Sequence, residues 1–526
     1  MPPLPDAAPW RTMADLVDAA AGRGSQPWLT ATSADGRTRT VTYGELPDLV
    51  GRAAELLRAH GVRPGMLVGL EFDNRFGFEA LVLHHAVHWC GGVVVPVNAR
   101  FSERELRAVA VDADLGVLCT AGDLRGVASM AIDGLDTRLL DLSDGLVRMV
   151  RDLVPGRRAP VSEHDVADLL YTSGTSGTPK GVEITHASCV AGGLELVHAY
   201  GVRPGDVYQS AVPYFSSTGA HTNPFAALCG GAHLVLQPSF DQHDTIEVMR
   251  RFGTTIYFGV PSMYLLLLRD VDLSDLPDTL RTLVTGGSVM TADGVARIHA
   301  AFPGRGLINS YGQTEAGPGG TVVGPDDIAD KPESVGGRGN GPWTTFRVAR
   351  PDGVETDVEE TGEIQLRSPA VMRGYRGRPE ETATTLVDGW LRTGDLGRRD
   401  ADGYLFYVDR MADSVIRGGF NVSTVEVESV LASHPEVHEA AVVGIEHAVL
   451  GEDLKAFVVA DPGLDTEAVG RFLVDKLADY KIPRTIVVVA GLPRNAMGKV
   501  VKARLNDPDP GSGRGRIRTH TGEDQR

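Results

Sequence analysis

The sequence predicts an α/β protein: a large N-terminal domain of parallel-rich sheets, then antiparallel strands, then a small C-terminal α+β domain. Three observations carry this. Strand-length apolar runs alternate with helical periodicity before residue 340, apolar and polar residues alternate between Gly turns after it, and a compact α+β pattern begins near residue 414. At 526 residues the chain exceeds what one hydrophobic core usually serves.

Residues 45–60, ELPDLVGRAAELLRAH, bring Leu46, Leu49, Val50, Ala53, Leu56 and Leu57 to one helix face, with Gly61 as the stop. MLVGLEF reads as a strand, RFGFEALVLHHAVHWC as a helix and GGVVVPVN as the next strand. The same texture returns in GAHLVLQP (231–238), TTIYFGVP (254–261) and LRTLVTGG (280–287). Further on, TTFRVARPDGVETDVEETGEIQLRS and GYLFYVDR look like antiparallel strands. In the last part STVEVESVLASHP and TEAVGRFLVDKLADY read as helices, and AAVVGIEH, LKAFVVA and TIVVVAGLP as strands. The expected division is 1–408, a boundary at 409–413 within VDRMAD, and 414–506; the Pro/Gly/charge-rich segment 507–526 is expected to be disordered.

The formal net charge of -18 argues against a sequence-independent grip on nucleic acid or anionic membrane, which needs clustered Lys and Arg. The N-terminus lacks a basic start followed by an apolar run, and no apolar run approaches the roughly 18 residues of a membrane span. A soluble cytoplasmic protein is expected. Cys90, Cys119, Cys189 and Cys229 form no CxxC pair and have no neighbouring His at metal-ligand spacing along the chain, so they are expected to be reduced core thiols.

YTSGTSGTPKG, residues 171–181, follows an apolar strand, VADLLY, and leads into another, VEIT. Gly174, Gly177 and Gly181 let backbone amides turn toward one anion; Thr172, Ser173, Thr175, Ser176 and Thr178 add hydroxyl donors, and Lys180 adds a mobile charge. Pro179 precedes the lysine and Gly181 follows it, so this is a phosphate loop without the Walker order of Gly-Lys-Ser/Thr.

With this loop stand VTYGEL (41–46), GGVVVPVNARFSEREL (91–106), INSYGQTEAG (308–317), TGEIQLRSPAVMRGY (361–375), DGWLRTGDLG (388–397), VDRMADSVIRGGFNVSTVEVE (408–428), LADYKIPR (477–484) and LPRNAMGKV (492–500). In this order they resemble the adenylate-forming superfamily of acyl-CoA synthetases, luciferases and adenylation domains, most of all an acyl-CoA synthetase. The resemblance runs from about residue 41 to residue 505.

It implies a β-barrel-like subdomain after the parallel sheets, a mobile C-terminal domain, and two half-reactions: a carboxylate attacks the α-phosphate of ATP with release of pyrophosphate, then a thiol, usually of coenzyme A, displaces AMP. By the resemblance the loop Thr172, Ser173, Gly174, Thr175, Ser176, Gly177 and Lys180 holds the β- and γ-phosphates. Thr314 serves the α-phosphate, Glu315 binds Mg²⁺, and Lys499 bridges carboxylate and α-phosphate. Gly287, Ser288, Asn309, Ser310, Tyr311 and Gly312 surround adenine; Asp395, assisted by Arg410, takes the ribose hydroxyls. Arg417, Gly418 and Gly419 line the path of the coenzyme A thiol.

The family's hinge position falls on Ala412, an apolar residue where Asp or Lys is common. The substrate gate is VPYFSSTGAH, 212–221, with Ser216 where many acyl and aryl ligases carry an aromatic or His and amino-acid-activating members carry Asp. The missing carboxylate argues against an α-amino acid. Phe215, Ser216, Phe258, Val260 and Gly286 are expected to line a pocket for an apolar, bulky carboxylic acid. A ligase loading a carrier protein, a silent nucleotide-binding protein and a phosphotransferase are the competing expectations; the compact segment RVARPDGVETDVEETGEIQ favours coenzyme A.

Overall fold

A computed structural model describes residues 2–33, 36–172, 180–288, 290–337, 340–411, 415–417, 420–447, 451–461, 463–474, 476–494 and 500–505. Ser173, Gly174, Thr175, Ser176, Gly177, Ala412, Gly418, Gly419, Lys499 and the 507–526 tail therefore lie outside the described residues. The chain divides into two compact units. One comprises Met1–Arg347, Gln365–Thr393 and Gly403–Leu405; the other Val348–Ile364, Gly394–Asp402 and Phe406–Arg526.

The first unit carries two large sheets. One has seven strands in the order Gly374–Tyr375, Lys180–Thr185, Val166–Thr172, Val93–Val97, Leu67–Glu71, Val117–Thr120, Arg138–Asp141. The last five run parallel, and the first two close the edge antiparallel. The other has eight strands, with Gly306–Tyr311, Thr282–Gly286, Ile256–Gly259, Val207–Ser210, His233–Leu236 and Pro27–Thr32 parallel in that order. Its flanks, Thr321–Val323 and Thr38–Thr42, are antiparallel. Strands such as Val93–Val97 are buried at every position, which is why they read as unbroken apolar runs rather than alternations.

The helix Leu46–Ala59 forms as its spacing predicts, and Gly61 follows it at φ +92°. The helix Gly77–Trp89 is buried at every residue. An all-round apolar helix belongs in a core, yet this one carries His84, His85 and His88 there. A smaller six-stranded antiparallel sheet follows, drawn from residues 334–410. In the second unit the order is Phe420–Val422, Val415–Arg417, Gly451–Ala460, Val437–His447, with Thr485–Val488 parallel to Gly451–Ala460. Val427 and Leu431 of the helix Thr424–Ala432 and Val469 and Leu473 of the helix Thr466–Val474 fill its core. Among the described residues no helix is long and apolar enough to cross a membrane. All four cysteines are free and buried.

Candidate functional site

The strands that flank the expected phosphate loop, Val166–Thr172 and Lys180–Thr185, pair antiparallel, with Thr172 opposite Lys180. Lys180 points its ammonium at Glu381 in an ion pair and lies 5.3 Å from the centroid of the Tyr375 ring. Glu381 also accepts from Arg378 at 3.1 Å. Lys180 first, then Arg378, holds the Glu381 carboxyl below its usual range. Tyr375 belongs to the short strand beside Lys180–Thr185, opposite Val182, and its hydroxyl donates to Glu315 Oε1 at 2.9 Å. Burial, reinforced by the Glu315 charge, pushes the Tyr375 phenol up. Thr314 and Glu315 form a single 3₁₀ turn directly after the strand Gly306–Tyr311, and Met372 N donates to Glu315 O at 2.9 Å.

The structure therefore brings Lys180 and the Thr314–Glu315 turn together through Tyr375, a residue to which the sequence assigned no role. Glu381 was missed too. Tyr375 closes the quoted run TGEIQLRSPAVMRGY, so its presence was visible but its partner was not.

In the first unit Gly286 and Tyr311, expected to meet acyl group and nucleotide, end parallel strands, the edge where open α/β sheets place ligands. Gly286 ends one strand opposite Ser310 of the next. A Cβ on Gly286 would sit 2.7 Å from Ser310 O, and Gly287 has φ +84°, so both positions require glycine. Gly287, Ser288 and Gly312 are exposed, and Ser310 and Tyr311 are partly so. Asn309 is buried and donates to Ser334 O at 2.9 Å, while Ser310 Oγ accepts from Tyr200 at 3.0 Å. These contacts fix the strand end on which Tyr311 sits.

Phe258 is buried on the strand Ile256–Gly259, and half-buried Val260 caps the helix that follows it. Val260 Cγ1 lies 3.7 Å from where a Gly287 Cβ would be, which joins the expected acyl and nucleotide residues. Phe215 is half-buried and Ser216 is 7 % exposed. Ser216 Oγ donates to Pro213 O at 2.7 Å and accepts from Gly219 N at 2.9 Å. Its hydroxyl is thus spent on the local turn that starts the π-helical segment Thr218–Thr222.

In the second unit Asp395 is buried and accepts from Arg410 Nε at 3.2 Å, so the two residues expected to serve the ribose are in contact. Arg417 is also buried. Its Nε meets Asp453 Oδ1 at 2.8 Å, and it donates to Tyr480 O at 2.9 Å and Ile482 O at 2.8 Å. Burial lowers its guanidinium pKa, with Asp453 acting in opposition. The Arg417 side chain thus serves the frame of its own unit. Asp409, within the expected 409–413 boundary, accepts from Thr424 N at 2.6 Å and from Thr424 Oγ1 at 3.0 Å.

Comparison with known proteins agrees with this geometry. The family model described as AMP-binding enzyme matches residues 17–376, and the one described as AMP-binding enzyme C-terminal domain matches 426–499. A CoA ligase of Mycobacterium tuberculosis, named for 3-[(3aS,4S,7aS)-7a-methyl-1,5-dioxo-octahydro-1H-inden-4-yl]propanoyl, is 35% identical over 507 residues, 91% of this chain and 96% of the relative. A feruloyl-CoA synthase of Amycolatopsis is 34% identical, covering 88% and 93%. ATP-bound MatB from Rhodopseudomonas palustris superposes with TM-score 0.85 at 31% identity, covering 94% of this chain and 98% of that one. The o-succinylbenzoate coenzyme A synthetase of Bacillus subtilis, solved with ATP and magnesium ion, gives 0.82 at 28% identity over 94% and 99%. With the phosphate hairpin, the Thr314–Glu315 turn and two matching family models, the chain belongs to the AMP-binding, adenylate-forming family, among its AMP-forming acyl-CoA ligases.

Proposed function

We propose that this chain joins a bulky, apolar, ring-bearing carboxylic acid to coenzyme A. In the first step a carboxylate oxygen bonds to the α-phosphorus of ATP, the bond to the β-phosphate oxygen breaks, and pyrophosphate leaves. In the second, the thiol sulfur of coenzyme A bonds to the acyl carbon, the bond to AMP breaks, and AMP leaves with the electron pair. Two anions meet in the first step, so preorganised positive charge and donors are what the protein must supply.

The observation that carries the reading is the convergence of Lys180, Tyr375 and the Thr314–Glu315 turn. Lys180 and the loop hydroxyls hold the leaving phosphates, and Thr314 donates to the α-phosphate. Lys499 bridges the acid and the α-phosphate, and residues 409–413 act as the hinge that brings it in. Glu315 suits magnesium, being a hard oxygen donor oriented by the Tyr375 hydroxyl. When bound there the ion neutralises phosphate charge. Asp395 with Arg410 receives the ribose, and Gly418 and Gly419, which carry no side chain, serve the path of the thiol arm.

The choice of acid rests on the small, self-satisfied Ser216 and the apolar Phe258, Val260 and Gly286. Two relatives carry ring-bearing acids in their names, a fused bicyclic propanoyl and feruloyl, which supports the same class here. The test is pyrophosphate release across fatty, aryl and polycyclic acids, followed by thioester formation with free coenzyme A or a carrier protein. Polycyclic or aryl acids should lead. Preference for straight-chain acids would refute the substrate class, and thioester only on a carrier protein would refute coenzyme A as acceptor.

A further inference from the structure

Outside the residues assigned to the reaction, the first unit buries a cluster of imidazoles around one carboxylate. His84 and His88 come from the helix Gly77–Trp89, Asp168 from the strand Val166–Thr172, and His221, the last residue of the 212–221 segment, from the π-helical segment Thr218–Thr222. None of the four is more than 1% exposed. His84 Nε2 lies 2.8 Å from Asp168 Oδ1, and His221 Nε2 lies 3.5 Å from Asp168 Oδ2. Despite that proximity, His84 Nε2 and both ring nitrogens of His221 have no hydrogen-bond partner.

Each neutral imidazole carries its own N–H, yet at both contacts, which lie within hydrogen-bond distance, the angle leaves the ring nitrogen without a hydrogen bond to Asp168. Each orphaned polar atom in a dry core costs about 1–3 kcal/mol, and native cores keep few of them. A buried carboxylate also needs a cation close by. One ion placed between the three side chains would meet both demands.

We propose that His84 Nε2, His221 Nε2 and the two oxygens of Asp168 form a structural site for a divalent transition metal, filled by zinc. The donor atoms of the three residues lie within 4.8 Å of one another. Donors bonded at about 2.1 Å to one tetrahedral ion stand roughly 3.4 Å apart. The observed 2.8 and 3.5 Å lie on either side of that spacing. Asp168 turns one oxygen to each imidazole, so a bidentate carboxylate makes four donors in a distorted shell, its own two oxygens standing closer together than tetrahedral positions. Imidazole nitrogen selects zinc and its neighbours over magnesium or calcium, which prefer all-oxygen shells.

The surroundings are those of a metal ligand set. His84 Nδ1 lies 3.0 Å from the Tyr214 hydroxyl oxygen, which can accept a hydrogen bond from Nδ1–H and leave the Nε2 lone pair for the ion. Cys189 Sγ donates to Asp168 Oδ2 at 3.1 Å, and His88 Nε2 stands 3.3 Å from Asp168 Oδ1. The site joins the strand Val166–Thr172, which leads into the expected phosphate loop, to the segment Thr218–Thr222 that closes the expected substrate gate, so it would hold these two walls in register.

The test is metal analysis of the full chain produced in zinc-supplemented medium and dialysed into metal-free buffer. About one zinc per chain is expected, retained through dialysis because the site is closed. After unfolding with chelator and refolding with Co²⁺, visible d–d absorption of a low-coordinate ion is expected. His84→Gln and His221→Gln should each lower the retained zinc at least tenfold, and His85→Phe, in the same core, should leave it unchanged. Should a variant fail to fold, the measurements on the natural chain stand alone. Protein isolated without zinc that also takes up no Co²⁺ on refolding overturns the site. So does zinc that persists in a folded His84→Gln/His221→Gln variant, since the metal would then be elsewhere.

Discussion

Tyr375 donates its hydroxyl proton to Glu315 Oε1 at 2.9 Å, across 60 positions of chain, while its ring lies 5.3 Å from the Lys180 ammonium. The contact orients the carboxylate assigned to magnesium and places it beside the lysine assigned to the phosphates. A hydrogen bond to a charged group contributes about 1.5–3 kcal/mol. Tyr375→Phe keeps the ring beside Lys180 and removes the hydroxyl that makes that bond. Adenylation should fall roughly tenfold at limiting Mg²⁺ and recover in part at high Mg²⁺. A Mg²⁺ titration of pyrophosphate release checks this; an unchanged titration would remove Tyr375 from the site.

Lys180 pairs with Glu381. If the lysine must turn to the phosphates, Glu381 competes with ATP for it. Both side chains are partly exposed, at 22% and 39%, so the competition is modest. Glu381→Gln should lower the KM for ATP about two- to fivefold, and Lys180→Ala should raise it. Initial rates against ATP concentration decide, and a higher KM in Glu381→Gln would mean that the pair positions the lysine instead of restraining it.

Lys499→Ala separates the two half-reactions. Adenylation should fall by orders of magnitude, since the group assigned to the transition-state charge is lost. Thioester formation from supplied acyl-adenylate should persist. The two rates are measured separately by pyrophosphate release and by coenzyme A consumption. Equal loss of both would deny Lys499 its assigned role.

The elements were legible where period and burial agree. The helix Leu46–Ala59 has one apolar face and a stopping glycine, and Val93–Val97 is apolar because both its faces are buried. The hairpin around the phosphate loop was legible from its flanking apolar runs. What stayed hidden depends on contacts between distant residues. Tyr375 and Glu315 meet across a sheet edge, and His84 finds Tyr214 130 positions away. Cysteine spacing along the chain gave no sign that Cys189 would face Asp168. Ser216 read as a small residue at a gate. That its hydroxyl closes a turn on Pro213 depends on backbone geometry that the motif does not encode.

Glu71 gives the fold a pH dependence with a definite sign. It is 1% exposed and accepts from Thr120 Oγ1 at 2.9 Å. Burial pushes its pKa up to about 7, with the Thr120 bond opposing. Between the unfolded value of about 4.3 and 7 the folded state holds a proton that the unfolded chain has lost. The stabilisation from this group is therefore complete below the unfolded value and is lost as pH rises through 7. Glu71→Gln keeps an acceptor for Thr120 and cannot ionise. Relative to the natural chain it should gain stability from pH 5 to pH 8, by about 3 kcal/mol at most. Denaturant unfolding across that range measures it, and parallel curves would count against a raised Glu71.

Arg417 decides between two uses of one side chain. Resemblance assigns it to the thiol path, whereas its contacts in the second unit tie it to Asp453, Tyr480 O and Ile482 O. The turn it grips, Asp479–Lys481, lies inside LADYKIPR, so that motif is held in place from within its own unit. Arg417→Ala would remove the donor that Arg417 gives to Tyr480 O and Ile482 O, and would leave buried Asp453 with Leu454 N at 2.8 Å and, as cation, the longer 3.5 Å contact to Arg484. Removing one partner of a buried ion pair costs about 3–5 kcal/mol, somewhat less here because Arg484 remains. The second unit should unfold early by calorimetry or by proteolysis of residues 415–494. Arg417→Lys keeps the charge but not the planar fork, and should recover only part of the loss. A framework role predicts that stability and coenzyme A turnover fall together in both variants. A direct thiol role predicts a raised KM for coenzyme A with unfolding unchanged, and measuring both quantities on the same two proteins separates them.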